Sequence, residues 1–312
     1  MLTLPPPPPV HHLLYARPAL YLFGAMAKAH VQHIIRSQCI PEEIQNIDKI
    51  MTGWHHAVEL FRNIESREQG IADNNYPFDL ELTPKLMEIQ NDALFRNSFS
   101  TYPSEFKMVE IDNLIAVQRH VSLAYTDMIG KRINTNASLD ELINFCISPK
   151  QDVPTPRSLQ NTENLITYSS PSVDFRFLGG FQKELTDDDL RYCLGGGLPV
   201  AAIVLFVGYG AGSINILRAN NRLILNNGFH RVYALRKSGI KKIPVVVQNI
   251  GNPDLEMAPQ ILGLSRDYLL KHPRPVLVKD FFADGLTTTL RLKDTVRSVR
   301  VQWGFDQMDM AI

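Results

Sequence analysis

Residues 223–239 read LILNNGFHRVYALRKSG, and the fold turns on this stretch. Leu223, Ile224 and Leu225 are a buried-strand run that stops at Asn226, Asn227 and Gly228, residue types that tolerate left-handed or tight backbone. A helix is predicted over 229–238, with Val232 and Leu235 on one face and Gly239 as its natural stop. The first amides of a helix have no intrahelical partner and its dipole makes that end positive, so acids are normally favoured there. This chain places His230 and Arg231 there instead. Such a local conflict is expected where an external anion completes the site, and phosphate is the usual anion. A structural salt bridge or a DNA contact would also account for the pair.

The surroundings are basic. From Asn221 to Lys242 there are six Lys/Arg (Arg222, Arg231, Arg236, Lys237, Lys241, Lys242) and no Asp or Glu. The whole chain is neutral, with 32 basic and 32 acidic residues among 312, so any electrostatic function must be local. Arg236 and Lys237 read as ordinary complements of a helix C-terminus. Hydrophobic residues at 45% and charged residues at 21% describe a soluble globular protein with room for two domains. Cys39, Cys146 and Cys193 are far apart and fit neither a disulfide framework nor a CxxC site, so a reducing cytoplasm is expected.

The N-terminal MLTLPPPPPVHHLL lacks the basic region of a signal peptide, and Pro5–Pro9 read as a stiff tail. Gly195 to Leu217 is 23 residues without a charge, long enough to span a bilayer. Its β-branched and aromatic residues, interrupted by Gly208, Gly210 and Gly212, instead suggest a buried strand, a hairpin turn and a second strand, with no membrane partner.

Residues 1–100 read mainly as helix. A single helix is predicted over 41–69, opened by Pro41 and two acids, with Ile44, Ile47, Ile50, Met51, Trp54, Val58 and Phe61 on one face. Thr83-Pro84 starts another helix, and Ser138-x-x-Glu141 is a capping box. Residues 148–172, rich in Pro, Ser, Thr, Asn and Gln, are expected to be a long loop. Strands are predicted at 106–111, 173–178, 200–207, 213–219, 222–225 and 243–248, a short helix at 186–194, and a strand pair within TLRLKDTVRSVRVQW near the C-terminus. The expected class is α+β, in three parts. Residues 1–100 form a helical region, 101–250 a mixed sheet-and-helix domain with an insertion near 131–172, and 251–312 a helix and β-rich extension.

The order strand, Gly-x-His-Arg, helix, Ser-Gly-Ile, Ile-Pro-Val-Val-Val, here NNGFHRVYALRKSGIKKIPVVVQ, resembles the core of the ParB/sulfiredoxin superfamily. TDDDLRYCLGGGLPVAAIVLFV and FKMVEIDNLIAVQRHV are similar to the segments that precede that core, so the resemblance covers roughly 106–250. It implies a nucleotide pocket for ATP or CTP with Mg2+, in which Asn227, Gly228, His230 and Arg231 hold the phosphates and Pro199 lines the base side. Phe229 stands where sulfiredoxins have a cysteine, so sulfinic-acid reduction is not expected. ParB proteins have a glutamate there and an arginine at the place of His230. Related free-serine kinases have an acid near the place of Gln118, which cannot act as a base; Glu110 and Asp112 are the neighbouring carboxylates.

Other signals are weaker. His11-His12, His30, His33 and His55-His56 lack a carboxylate or cysteine at ligand spacing, so no metal site is expected. Arg291, Lys293, Arg297 and Arg300 could place a basic stripe on one strand face. The expected function is binding of a nucleoside triphosphate, with phosphoryl transfer or hydrolysis as an extension. The alternative is a DNA-associated or protein-interaction adaptor without turnover.

Overall fold

The structure, a computed structural model, describes residues 17–73, 75–148, 153–172, 174–193, 197–250 and 264–308. The Pro5–Pro9 tract and His11-His12 lie outside them. The fold is α+β. The chain divides into two compact units, residues 1–149 with 212–294 and residues 150–211 with 295–312.

The first unit opens with β1 (Arg17–Leu22), a 3-10 turn (Phe23–Ala25), α1 (Lys28–Gln38), α2 (Pro41–Gln45) and α3 (Ile47–Arg67). The single helix predicted over 41–69 is broken at Asn46. Its side-chain amide donates back to the Glu42 carbonyl at 2.8 Å and its N–H to Glu43 at 3.2 Å, a local bond that competes with the helical ladder. The apolar stripe of α3 survives the break: Met51, Trp54, Ala57 and Phe61 are buried. Met51, Trp54 and Ala57 pack with Tyr21, Phe23 and Ile35. Gly24 permits this packing, because a Cβ there would lie 2.8 Å from the Ala57 carbonyl oxygen and 2.9 Å from Cβ of Phe61.

The chain continues through β2 (Phe78–Asp79), α4 (Pro84–Asn91), α5 (Ala93–Ser98), β3 (Ser104–Glu110), β4 (Ile115–Ala116), β5 (His120–Ser122), α6 (Leu123–Gly130) and α7 (Leu139–Ile147). The predicted caps are present. Thr83 accepts from the Leu86 N–H, and Ser138 and Glu141 form a reciprocal capping box. Next come the elements of the second unit, β6 (Arg157–Thr162), β7 (Leu165–Ser170), β8 (Phe175–Lys183), α8 (Asp187–Leu190) and β9 (Ala202–Tyr209). The first unit resumes with β10 (Asn215–Ala219), β11 (Arg222–Asn227), α9 (Phe229–Lys237), β12 (Lys242–Asn249), α10 (Arg266–Lys271) and β13 (Thr287–Leu292). Finally β14 (Arg297–Gln302) belongs to the second unit.

In the first unit, β13-β1-β5 is an antiparallel sheet and β2-β3-β12-β10-β11-β4 a mixed one. β12 runs parallel to β10, and β4 parallel to β11. β10 and β11 form a hairpin whose two loop residues, Asn220 and Asn221, have φ of 50° and 59°. Left-handed geometry at both central positions is what a tight hairpin requires, and asparagine accommodates it. The central strands carry buried apolar runs, with Leu223, Ile224 and Leu225 of β11 and Val245, Val246 and Val247 of β12 all buried. Helix α9 packs on α6, and α7 on β12.

Several sequence expectations are corrected here. Residues 157–170, expected within a loop, form the β6–β7 hairpin, which β14 completes as a three-stranded sheet. Every residue of β6 is exposed, so the segment carries no apolar signature, and its strand character comes from pairing. Gly208, Gly210 and Gly212 do not turn a hairpin: β9 pairs with β8 while β10 pairs with β11 and β12. The glycine run is where the chain passes from one unit to the other. The C-terminal strands do not pair with each other either, since β13 joins β1 and β14 joins β7. Among the described residues no helix is long and apolar enough to cross a membrane.

Candidate functional site at the start of helix α9

The strand-to-helix corner at Gly228 is built as its sequence requires. Gly228 is the N-cap of α9, with φ 96° and ψ 18°. That conformation disfavours any residue with a Cβ, and a Cβ would also sit 2.8 Å from Cγ1 of Ile214. The corner is tied from below by amides. Asn227 donates to the Ser213 carbonyl at 3.1 Å, and Asn226 to Oδ1 of Asn215 at 2.7 Å. Asn215 donates in turn to Oε1 of Gln248 at 3.0 Å. Helix α9 begins with no side-chain cap and no acid in its first turn.

His230 faces α6 and β5. Its Nε2 accepts the Ser122 backbone N–H at 3.1 Å, and its ring meets that of Tyr125 edge-on at 5.1 Å. A backbone N–H can only donate, so Nε2 is unprotonated and the neutral ring carries its proton on Nδ1. Burial, with His120 nearby, brings its pKa down to about 4. Neutral His230 therefore offers one N–H donor at pH 7, not a positive charge. Arg231 points along the other side, where Nη1 donates to the Phe145 carbonyl at 3.3 Å in the last turn of α7. It also opposes the effect of burial on Cys146, whose thiol is nonetheless pushed up to about 12. Asn227, Gly228, His230 and Arg231 thus share one corner, but the side chains of Asn227, His230 and Arg231 all have structural duties. Pro199 belongs to the second unit, in the coil ahead of β9.

The basic window is largely neutralised within the fold. Arg222 is buried and donates to Asp73 at 2.7 Å and to the Leu269 carbonyl at 3.0 Å. Arg236 grips Asp112 at 2.5 and 3.0 Å, Lys237 holds Asp127 at 2.9 Å, and Lys242 lies 3.4 Å from Glu110. These carboxylates lie outside the window in sequence. Glu110 and Asp112, the carboxylates considered as bases, are therefore both in ion pairs. Of the C-terminal cations, Arg291 and Lys293 belong to the first unit and Arg297 and Arg300 to the second. Arg291 pairs with Glu43 at 2.9 Å.

Sequence reasoning passed over Ser122, Tyr125 and Phe145, the residues that fix His230 and Arg231. The Ser122 to His230 bond spans 108 positions, and nothing local marks it. Among the described residues no group of three or more His, Cys, Asp or Glu is placed to hold a metal ion. Neither family models, nor curated proteins, nor solved structures give a match to this chain.

Proposed function

We propose that the chain binds a nucleoside triphosphate, ATP or CTP, with its phosphates at the start of α9. One observation carries this: a left-handed glycine, closed in by Ile214, opens a helix that has neither a capping side chain nor an acid in its first turn. Such an end presents backbone N–H groups and a positive dipole to an anion. The Gly-x-His-Arg resemblance to ParB/sulfiredoxin-like proteins supports the same ligand. His230 contributes a neutral Nδ1–H donor. Arg231 donates to the Phe145 carbonyl at 3.3 Å, and its guanidinium brings a fixed positive charge to the corner, the kind of group that pairs with a phosphate oxygen. Magnesium would be held chiefly by the phosphates and water, as is usual for this ion. The ion pairs on Glu110 and Asp112 leave no evident base, so the proposal is binding, with phosphoryl transfer not assigned to any residue. The ion pairs of Arg222, Arg236, Lys237 and Lys242 offset much of the positive charge on which a DNA-associated adaptor would depend.

Melting curves of the full chain with ATP, CTP, GTP and ADP plus Mg2+ test this. Ligand at about 100 times Kd stabilises by roughly 2.7 kcal/mol, a shift of several degrees. Arg231→Ala is expected to weaken binding about tenfold or more while the apo protein stays folded. Absence of any shift with all four nucleotides sinks the proposal.

A further inference from the structure

Arg119 lies between β4 and β5 in the first unit. Its Nη1 donates to the Ala116 carbonyl at 2.5 Å. Its Nε and Nη2 are buried and have no hydrogen-bond partner among the described residues. Those two nitrogens form the edge with which arginine grips an anion through two parallel bonds. The chain uses that edge elsewhere: Arg236 takes both carboxylate oxygens of Asp112 at 2.5 and 3.0 Å, and Arg274 puts both nitrogens on the one oxygen Oε2 of Glu68 at 3.0 and 2.8 Å. At Arg119 no acid among the described residues completes it. Asp280, the carboxylate whose field reaches Arg119, is already held by Arg274 at 2.7 and 2.8 Å. A buried guanidinium without a counter-anion is costly to keep, which makes this a place where a ligand gains.

Arg119 also lines a cavity of about 310 Å³. Met26, Trp54, Val58 and Phe61 form its apolar walls, and Tyr268 stands beside the guanidinium with its ring centre 5.8 Å away. The indole N–H of Trp54 is taken by the Met26 carbonyl at 2.8 Å, so the face of the ring is what remains for a guest. The volume is at the small end of ligand sites, which run from roughly 300 to 1,000 Å³.

We propose that this cavity binds a small monocarboxylate with an aromatic or aliphatic body, its carboxylate on the Nε/Nη2 edge of Arg119 and its body against Trp54 and Phe61. A monocarboxylate suits the charge balance better than a phosphate: Arg62 and Glu65 also line the cavity and act on one another, so their charges offset and Arg119 supplies the net single positive charge. Because Nε and Nη2 are closed off in this conformation, entry goes with a turn of the Arg119 or Tyr268 side chain. The site is separate from the start of α9 and does not depend on nucleotide binding there.

Trp54 reports on it directly, as one of two tryptophans in the chain. In the full chain carrying Trp303→Phe, phenylacetate and hexanoate are expected to change Trp54 fluorescence saturably, with Kd on the order of 1 mM or tighter. The neutral 2-phenylethanol and inorganic phosphate are expected to give no saturable change. Arg119→Met is expected to weaken phenylacetate binding about tenfold or more and to melt no lower than its parent, since it removes an uncompensated charge. Should Arg119→Met fail to fold, Val58→Phe fills the cavity and is expected to abolish the response. The proposal is overturned if neither acid saturates by about 10 mM, or if phenylacetate binds undiminished to a folded Arg119→Met or Val58→Phe protein.

Discussion

The Ser122 backbone N–H donates to Nε2 of His230 across 3.1 Å, joining β5 to α9 and holding the imidazole neutral. Its pKa of about 4, against an ordinary 6.5, means that the unfolded chain takes up this proton first as pH falls. The stability contributed by the neutral ring is complete above about pH 6.5, and it drains away as pH falls towards 4. Below that both states are protonated and the loss stops growing. Urea unfolding at pH 7.5 and 5.0 checks this. His230→Gln is expected to lose about 1–2 kcal/mol less than the parent over that interval. His120, whose pKa burial also lowers, leaves a residual slope in the variant. Equal slopes in the two proteins would show that the ring is not held neutral.

Two glycines near the first helices predict opposite outcomes for the same substitution. A Cβ on Gly24 meets the Ala57 carbonyl oxygen at 2.8 Å, Phe61 Cβ at 2.9 Å and Leu286 Cδ2 at 3.0 Å, two of them rigid parts of α3. Gly24→Ala is expected to destabilise by about 1–3 kcal/mol. Gly53 is exposed within α3, and a Cβ there has nothing within 4 Å. Gly53→Ala is expected to stabilise by about 0.4–1 kcal/mol, because the unfolded chain loses more freedom than the helix does. Denaturation midpoints of the two variants measure both signs.

What the sequence disclosed follows from how local each interaction is. The block from β10 to β12 was legible because its strands are buried runs of Ile, Leu and Val and its corner is marked by Gly228. The caps at Thr83 and Ser138 were legible because cap and amide lie three residues apart. The strand character of β6 was hidden, since its polar residues take that form only by pairing with β7. At the candidate site the backbone corner was readable and the side-chain partners were not. Arg236 and Asp112 lie 124 positions apart, as remote as the bonds that fix His230 and Arg231. The positive field of the 221–242 window is therefore weaker than its charge count. Arg119 escaped notice for the opposite reason, because only the fold shows that nothing answers it.

Arg274 is the converse of Arg119, a fully buried guanidinium with its donors engaged. It meets Asp280 at 2.7 and 2.8 Å, Glu68 at 3.0 and 2.8 Å, and the Pro275 carbonyl at 2.8 Å. Removing one member strands a buried charge, and Asp280 is only 2% exposed. Arg274→Met is expected to cost about 3–5 kcal/mol. Arg274→Met with Asp280→Leu is expected to cost less than Arg274→Met alone, because the stranded carboxylate goes too. A double variant less stable than both single ones would show that the pair contributes more than the relief of that charge.

The ends of the inserted segment are stapled together inside the first unit. The Ile214 N–H donates to the Cys146 carbonyl at 2.7 Å, and the Ser213 hydroxyl to the Ile147 carbonyl at 2.5 Å. These bonds close the chain across residues 150–211, and β10 and α7 are anchored by strands and helices of the same unit. Ile143 and Ile147 of α7, Ile216 of β10 and the adjoining Ile214 are fully buried. Replacing residues 150–211 with a short Gly-Ser linker and ending the chain at Asp294 is therefore expected to leave a folded protein. A short flexible closure adds little entropy cost when its ends already meet. Circular dichroism and a cooperative melt within several degrees of the full chain check this outcome. A chain that stays unfolded after excision would show that the first unit depends on the second for its stability, despite the bonds at Ser213 and Ile214.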